Sequence, residues 1–252
     1  MAKRISEINQ HASTLALIIQ GCRAEPNAIK LLAKEIEQRP LKRLHLTCAH
    51  ELTPSDLDIL LDAILTDTSR LVEIRYNHNN LSTYSIIVLA ILLKSCKKLE
   101  ILDLSSNLFN DNVAQLVFQN ASGLTHLKKL LLDCCQLGPL LTKVVLPSFR
   151  NSKLELLSIG DNCLGYAPQT QLLSSLNTAL SQLGTLKHLN LQSNGLDCSG
   201  LSLISRGLEG CRNLESINLG FNLIQCSANV KLGWLASLPH LTALNFQSNM
   251  IS

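Results

Sequence analysis

An α/β solenoid, with one parallel strand and one helix per turn, is the fold class the sequence predicts, and three observations predict it. Apolar residues recur in a fixed short pattern. From Leu186, leucines stand at relative positions 1, 4 and 6, followed by Asn194 at position 9 and Leu196 at position 11. The pattern begins again at residues 41, 71, 99, 127, 154, 186, 214 and 241, starts that lie 27 to 32 residues apart. Between copies, apolar residues such as Leu201 and Leu208 fall at helical spacing. Self-similarity at this period marks stacked units, each of which buries its apolar face only against its neighbours. The 252 residues therefore read as one elongated domain and not as two globular ones.

Taken in order, residues 1–40 are expected to form a helical N-terminal cap. Ile5, Ile8, Leu15 and Ile18 fit one helical face that Gly21 would end, and Ala28, Leu31, Leu32 and Ile36 fit a second helix over 26–38. Residues 41–252 then carry eight repeats, the last incomplete. In each strand, alternation turns positions 4 and 6 inward and positions 3, 5 and 7 outward. The asparagine at position 9 (Asn107, Asn162, Asn194, Asn222, Asn249) turns the chain, and its amide can satisfy backbone groups of the next turn. Cys135 fills that slot with a weaker donor, and Ala49 fills it in the first repeat. Because a helix is wider than a strand, the stack bends with its parallel sheet on the concave side.

Breaks in the period locate irregularity. Extra residues before the repeat at 186 predict a loop near Gly165 to Gln171. Pro139 can open a helix and Pro147 should stop it, which predicts a short helix in that turn. Trp234 is the sole tryptophan, so leucine is expected to dominate the core. The sequence stops just after the last asparagine turn, from which a natural chain continuing past Ser252 is expected.

Composition excludes several function classes. A net charge of +3 with scattered lysine and arginine gives no basic stripe for nucleic acid. No apolar run is long enough for membrane insertion. Leu15 to Ile19 is too short, and too polar in its flanks, for a secretory signal. Nine cysteines without a CxxC pair suggest neither a disulfide framework nor a zinc site. Most occupy repeat slots where a small apolar residue fits: Cys96 and Cys211 precede a repeat, and Cys198 and Cys226 share one position. These features place the chain in a reducing, cytoplasmic compartment. There is no phosphate loop, HExxH or GxSxG, and Ser95 to Lys98 matches SxxK only as a string at a helix end. The reading is non-enzymatic, with no cofactor, no metal and no small-molecule substrate.

The LxxLxLxxN/CxL pattern near 28-residue spacing resembles the ribonuclease-inhibitor-like class of leucine-rich repeats, over about residues 41–252. That resemblance implies a leucine-rich-repeat horseshoe with helices on its convex side. It also implies a protein-binding scaffold, some relatives of which inhibit an enzyme by covering its active site. The irregular repeats and the surface rich in Asn, Ser and Gln also resemble secreted leucine-rich-repeat effectors of intracellular bacterial pathogens. This second resemblance implies delivery into a host cell by a signal-peptide-independent route.

Outward strand positions map the expected binding face. Position 3 runs Arg43, Glu73, Ile101, Lys129, Leu156, His188, Ser216, Ala243. Position 5 runs His45, Arg75, Asp103, Leu131, Ser158, Asn190, Asn218, Asn245, and position 7 includes Asp133. Phe221 at position 8 is either a second anchor or packs on the next turn. The first third is charged, the middle carries Ile101, Leu131 and Leu156, and the last third is amides and small residues. An apolar centre with a polar rim is how protein interfaces are arranged. Arg43, Glu73, Arg75, Asp103, Lys129 and Asp133 would steer the partner, and Leu131 and Leu156 would supply the buried centre. Asn190, Asn218 and Asn245 form a column expected to bond as a ladder while also touching the partner. Two other functions stay open: an adaptor recruiting its partner to other machinery, and a cysteine enzyme using Cys134 near His78 and Asp103. Two intervening strand spacings, about 10 Å, separate Cys134 from His78, too far for a nucleophile and its base.

Overall fold

The computed structural model describes residues 15–20, 26–39, 41–47, 52–78, 83–165, 170–225 and 232–250. Among these, one open sheet of nine parallel strands runs in chain order. The strands are β1 (Leu15–Gln20), β2 (Leu41–Thr47), β3 (Glu73–Arg75), β4 (Ile101–Asp103), β5 (Lys129–Leu131), β6 (Leu156–Ser158), β7 (His188–Asn190), β8 (Ser216–Asn218) and β9 (Ala243–Asn245). Helices connect successive strands: α1 (Pro26–Gln38), α2 (Pro54–Leu65), α3 (Thr83–Ser95), α4 (Asp111–Asn120), α5 (Leu146–Ser148), α6 (Thr170–Leu180) and α7 (Cys198–Gly210). The sheet stays open and forms the concave side of a solenoid.

The repeat positions set the register. Arg43 pairs with Glu73, Glu73 with Ile101, and the row continues through Lys129, Leu156, His188 and Ser216 to Ala243. Position 4 is buried from Leu44 through Ile217, and Leu46, Leu104, Leu132, Ile159, Leu191 and Leu219 at position 6 are fully buried. Each asparagine of position 9 then ties two turns together. Asn194 Oδ1 accepts from the backbone N–H of Asn162 at 2.9 Å and of Leu164 at 3.4 Å. Its Nδ2 donates to the carbonyls of Ile159, Leu191 and Gln192. Asn222 repeats the arrangement one turn on. Cys135 can only imitate it, with its thiol at 3.3 and 3.4 Å from the carbonyls of Asp133 and Leu104. Burial pushes that thiol up to about 12, so it remains a neutral donor.

Local chemistry starts the helices. Thr53 and Asp56 form a capping box at α2, Asn110 caps α4, and Asp197 caps α7 through the Gly200 N–H at 2.7 Å. The residue at position 8 has positive φ in seven repeats: His78, Ser106, Cys134, Asp161, Ser193, Phe221 and Ser248. This left-handed residue reverses the chain out of the strand and aims its side chain at the rim of the sheet.

One expectation needs correction. Leu15 and Ile18 belong to a strand, not a helix, because Leu17 and Ile19 alternate inward and pair with the apolar edge of β2. Strand periodicity outweighed the fit to a helical face. The short helix expected in the fourth repeat is present: a π-helical turn, Leu141–Val145, runs into α5, which ends at Ser148, one residue past Pro147. Leucine dominates the core, and Phe118 and Phe149 are the largest fully buried side chains among the described residues. Phe118 and Phe149 meet edge to face at 6.2 Å, with Phe109 beside Phe118. Ile5, Ile8, Gly21, Ala49, Cys226 and residues 166–169 lie outside the described residues.

Candidate functional site

Parallel strands in constant register bring the outward residues onto one concave surface, but not all of them remain available there. Glu73 and Asp103 are buried. Glu73 holds a cluster together: Arg75 Nε donates to Oε1 at 2.6 Å, His45 Nε2 lies 3.0 Å from the same oxygen, and Arg43 Nε lies 3.3 Å from Oε2. Burial alone would raise the Glu73 carboxyl, but the Arg75 hydrogen bond and charge, with His45, outweigh it and hold the group below the ordinary range. Asp103 accepts from Asn77 Nδ2 at 3.0 Å and from the Ser105 N–H at 3.1 Å. These carboxylates organise the face, and the exposed charges next to them are Arg43, Arg75 and Lys129.

Asp133 is tied in the same way. Ser158 Oγ donates to it at 2.7 Å, the Gly160 N–H at 2.6 Å, and Asn190 Nδ2 reaches it at 3.4 Å. Burial pushes its carboxyl up; the Ser158 and Gly160 bonds pull the other way, and the neighbouring Asp103 and Asp161 charges add to the rise. Its role is to anchor β5 to β6 and β7 rather than to steer. The asparagine column also differs from a simple ladder. Asn245 Nδ2 donates to Asn218 Oδ1 at 3.0 Å, whereas Asn218 Nδ2 turns to Gln192 Oε1 at 2.9 Å and Asn190 to Ser158 Oγ at 2.9 Å. Gly160 and Gly220 leave room for these amides at position 7: a Cβ on Gly160 would lie 3.0 Å from Asp133 Oδ1 and from the Gln192 side chain.

The central aliphatics Ile101, Leu131 and Leu156 are half-buried on three successive strands. Lys129 stands between Ile101 and Leu156 in their row, and Leu131 lies on the same strand two residues on. His188 faces Ser216, with Nδ1 2.9 Å from its hydroxyl. Phe221 is 54% exposed at the rim, so it does not pack on the next turn. Thr47, Asn77, Ser105, Ser158 and Gln192 stand at outward positions to which the sequence assigned no role, yet they link the face into one network. Their signal was available, since all are short polar residues at positions 5 and 7.

Cys134 is poorly suited to nucleophilic work. Burial and the acidic Asp161 and Asp133 around it push the thiol up to about 11, and its sulfur donates to Asp161 Oδ2 at 3.2 Å. A reactive cysteine needs the opposite surroundings. An open groove of about 710 Å³ lies on the helical side, between α6 and α7, lined by Asn177, Arg206, Glu209 and Trp234 among others. No helix among the described residues is long and apolar enough to cross a membrane.

The fold and its concave face define an open solenoid of leucine-rich units. Residues 184–205 match the family model described as a leucine rich repeat. Among solved structures, the chain is similar to an internalin (InlF) from Listeria monocytogenes, at 17% identity over 95% of this chain and 82% of that one, with a TM-score of 0.43. A search of the curated proteins returns no match.

Proposed function

We propose that this protein is a non-catalytic protein-binding scaffold whose concave face docks one partner protein, and that it inhibits a partner enzyme by covering its active site. The observation that carries the reading is the layout of the concave face. Half-buried Ile101, Leu131 and Leu156 sit between a charged cluster held by Glu73 and an amide network centred on Asn190 and Asn218. Nine strands at about 4.8 Å make a surface about 40 Å long, enough for a standard protein interface. Its polar groups are bonded to one another before a partner arrives, which lowers the ordering cost of docking.

The test is affinity capture with the wild type and with Leu131→Asp/Leu156→Asp, with folding checked by circular dichroism and the captured partner's activity assayed. Capture lost in the folded variant, together with partner activity suppressed by the wild type, is the expected result. A partner held through the concave face with undiminished activity turns the reading into an adaptor. A partner that the variant still holds removes the concave face from the function.

A further inference from the structure

We propose that Arg43 and Arg75 form a paired guanidinium clamp that takes an acidic side chain of the partner protein; this rests on the concave-face reading above. Both arginines touch Glu73 through Nε, Arg75 at 2.6 Å and Arg43 at 3.3 Å. Nε is the inner nitrogen of the guanidinium, so this grip leaves the terminal nitrogens at the surface. Among the described residues, Arg43 has no other partner, and the only further group near Arg75 is Asp103, 3.8 Å from Nη1 and beyond hydrogen-bond distance. The side chains are 56% and 39% exposed, whereas that of Glu73 is 9% exposed. One buried carboxylate thus orients two planar forks on neighbouring strands and leaves their outer donors unused.

A carboxylate is the group these donors suit. Fork-to-carboxylate pairing is bidentate and charge-assisted, and orienting the guanidinium beforehand reduces the entropy lost when it binds. A phosphate dianion fits less well, because the buried Glu73 and Asp103 carboxylates offset part of the arginines' charge and a second negative charge on the ligand adds to that repulsion. Position on the face adds to this. Ile101 follows Glu73 in the same row, so an acidic side chain in the clamp places the next residues of the partner on the aliphatic centre.

The direct test follows the guanidinium Nε–Hε resonances of Arg43 and Arg75 in the full chain. The probes are a short glutamate-containing peptide with blocked ends, its glutamine counterpart, and inorganic phosphate. Saturable shifts of both resonances with the glutamate peptide, weaker with phosphate and absent with glutamine, are expected. No shift, or equal shifts with glutamate and glutamine, overturns the clamp; a stronger response to phosphate reassigns it to phosphate recognition. A second arm uses Arg43→Lys/Arg75→Lys, which keeps both charges but removes the forks. With the captured partner, this variant should bind about tenfold or more weakly. If Leu131→Asp/Leu156→Asp loses the partner while the lysine variant binds as the wild type does, the concave reading stands and the clamp falls. If both variants bind normally, both readings fall.

Discussion

Replacing Asn194 by alanine tests whether the asparagines hold the solenoid together or merely sit in it. Asn194 is fully buried and its side chain makes five hydrogen bonds across two turns of the chain. Alanine orphans the Asn162 N–H, accepted at 2.9 Å, and the weaker Leu164 N–H at 3.4 Å. Each buried donor left unpaired costs about 1–3 kcal/mol, with the longer bond at the low end. Three carbonyls also lose a donor, but Leu191 keeps Asn222 Nδ2 and Gln192 keeps the Asp161 N–H, and carbonyls tolerate under-satisfaction better than N–H groups. The expected loss is therefore about 3–5 kcal/mol, a large share of the roughly 5–15 kcal/mol that holds an ordinary domain. Urea unfolding followed by circular dichroism gives the size, and amide exchange gives the place. The damage should concentrate in the turns containing Asn162 and Asn194, because repeats communicate only with neighbours. A loss below about 1 kcal/mol, or exchange spread evenly over the sheet, would refute the reasoning.

Two further outcomes follow from close contacts and charge. Gly207→Ala should destabilise by about 1–3 kcal/mol in thermal unfolding, although alanine in an exposed helix ordinarily gains about 1 kcal/mol over glycine. The added Cβ would collide with the Asn177 backbone carbonyl of α6. For Cys134, a thiol at about 11 leaves roughly one molecule in a thousand as thiolate at pH 8. Alkylation at this site, mapped by mass spectrometry, should be slow at pH 8 and rise steadily towards pH 11. Asp161→Asn removes a charge that disfavours the thiolate, so the curve should move to lower pH, though burial keeps it above that of a free cysteine. An unchanged curve would remove Asp161 from the account.

The sequence is legible where a residue answers to one neighbour at a fixed offset. Leu102, Leu130 and Leu157 share a slot, and each needs only the same apolar contact from the turn beside it, so counting alone placed them inward and set the register of the sheet. Asn162 and Asn194 were readable for the same reason. Reading failed where two periodicities compete over a few residues. Leu15 to Gln20 fits a helical face and an alternating strand almost equally, and the decision came from β2, which offered an apolar edge. Phe149 falls in the slot of the buried Leu93 and Leu208, so its burial follows the period, but the period fixes only an apolar slot and not the edge-to-face contact with Phe118.

The outward face shows the limit most clearly. Its map was right in position and incomplete in meaning, because a carboxylate on a strand can face a partner or its own neighbours, and the period is silent on which. Glu73, Asp103 and Asp133 all point to the concave side, yet each is committed to groups on the strands next to it. What distinguishes them from Arg43, Arg75 and Lys129 is side-chain length. A short acid at mid-strand lies within reach of the backbone N–H groups and hydroxyls of adjacent turns, as Asp133 does with Gly160 and Ser158. A long base carries its charge past that layer into solvent. On this face the acids are therefore structural and the bases are presented, and a partner that docks there meets positive groups first, although the residues alternate in sign along the row.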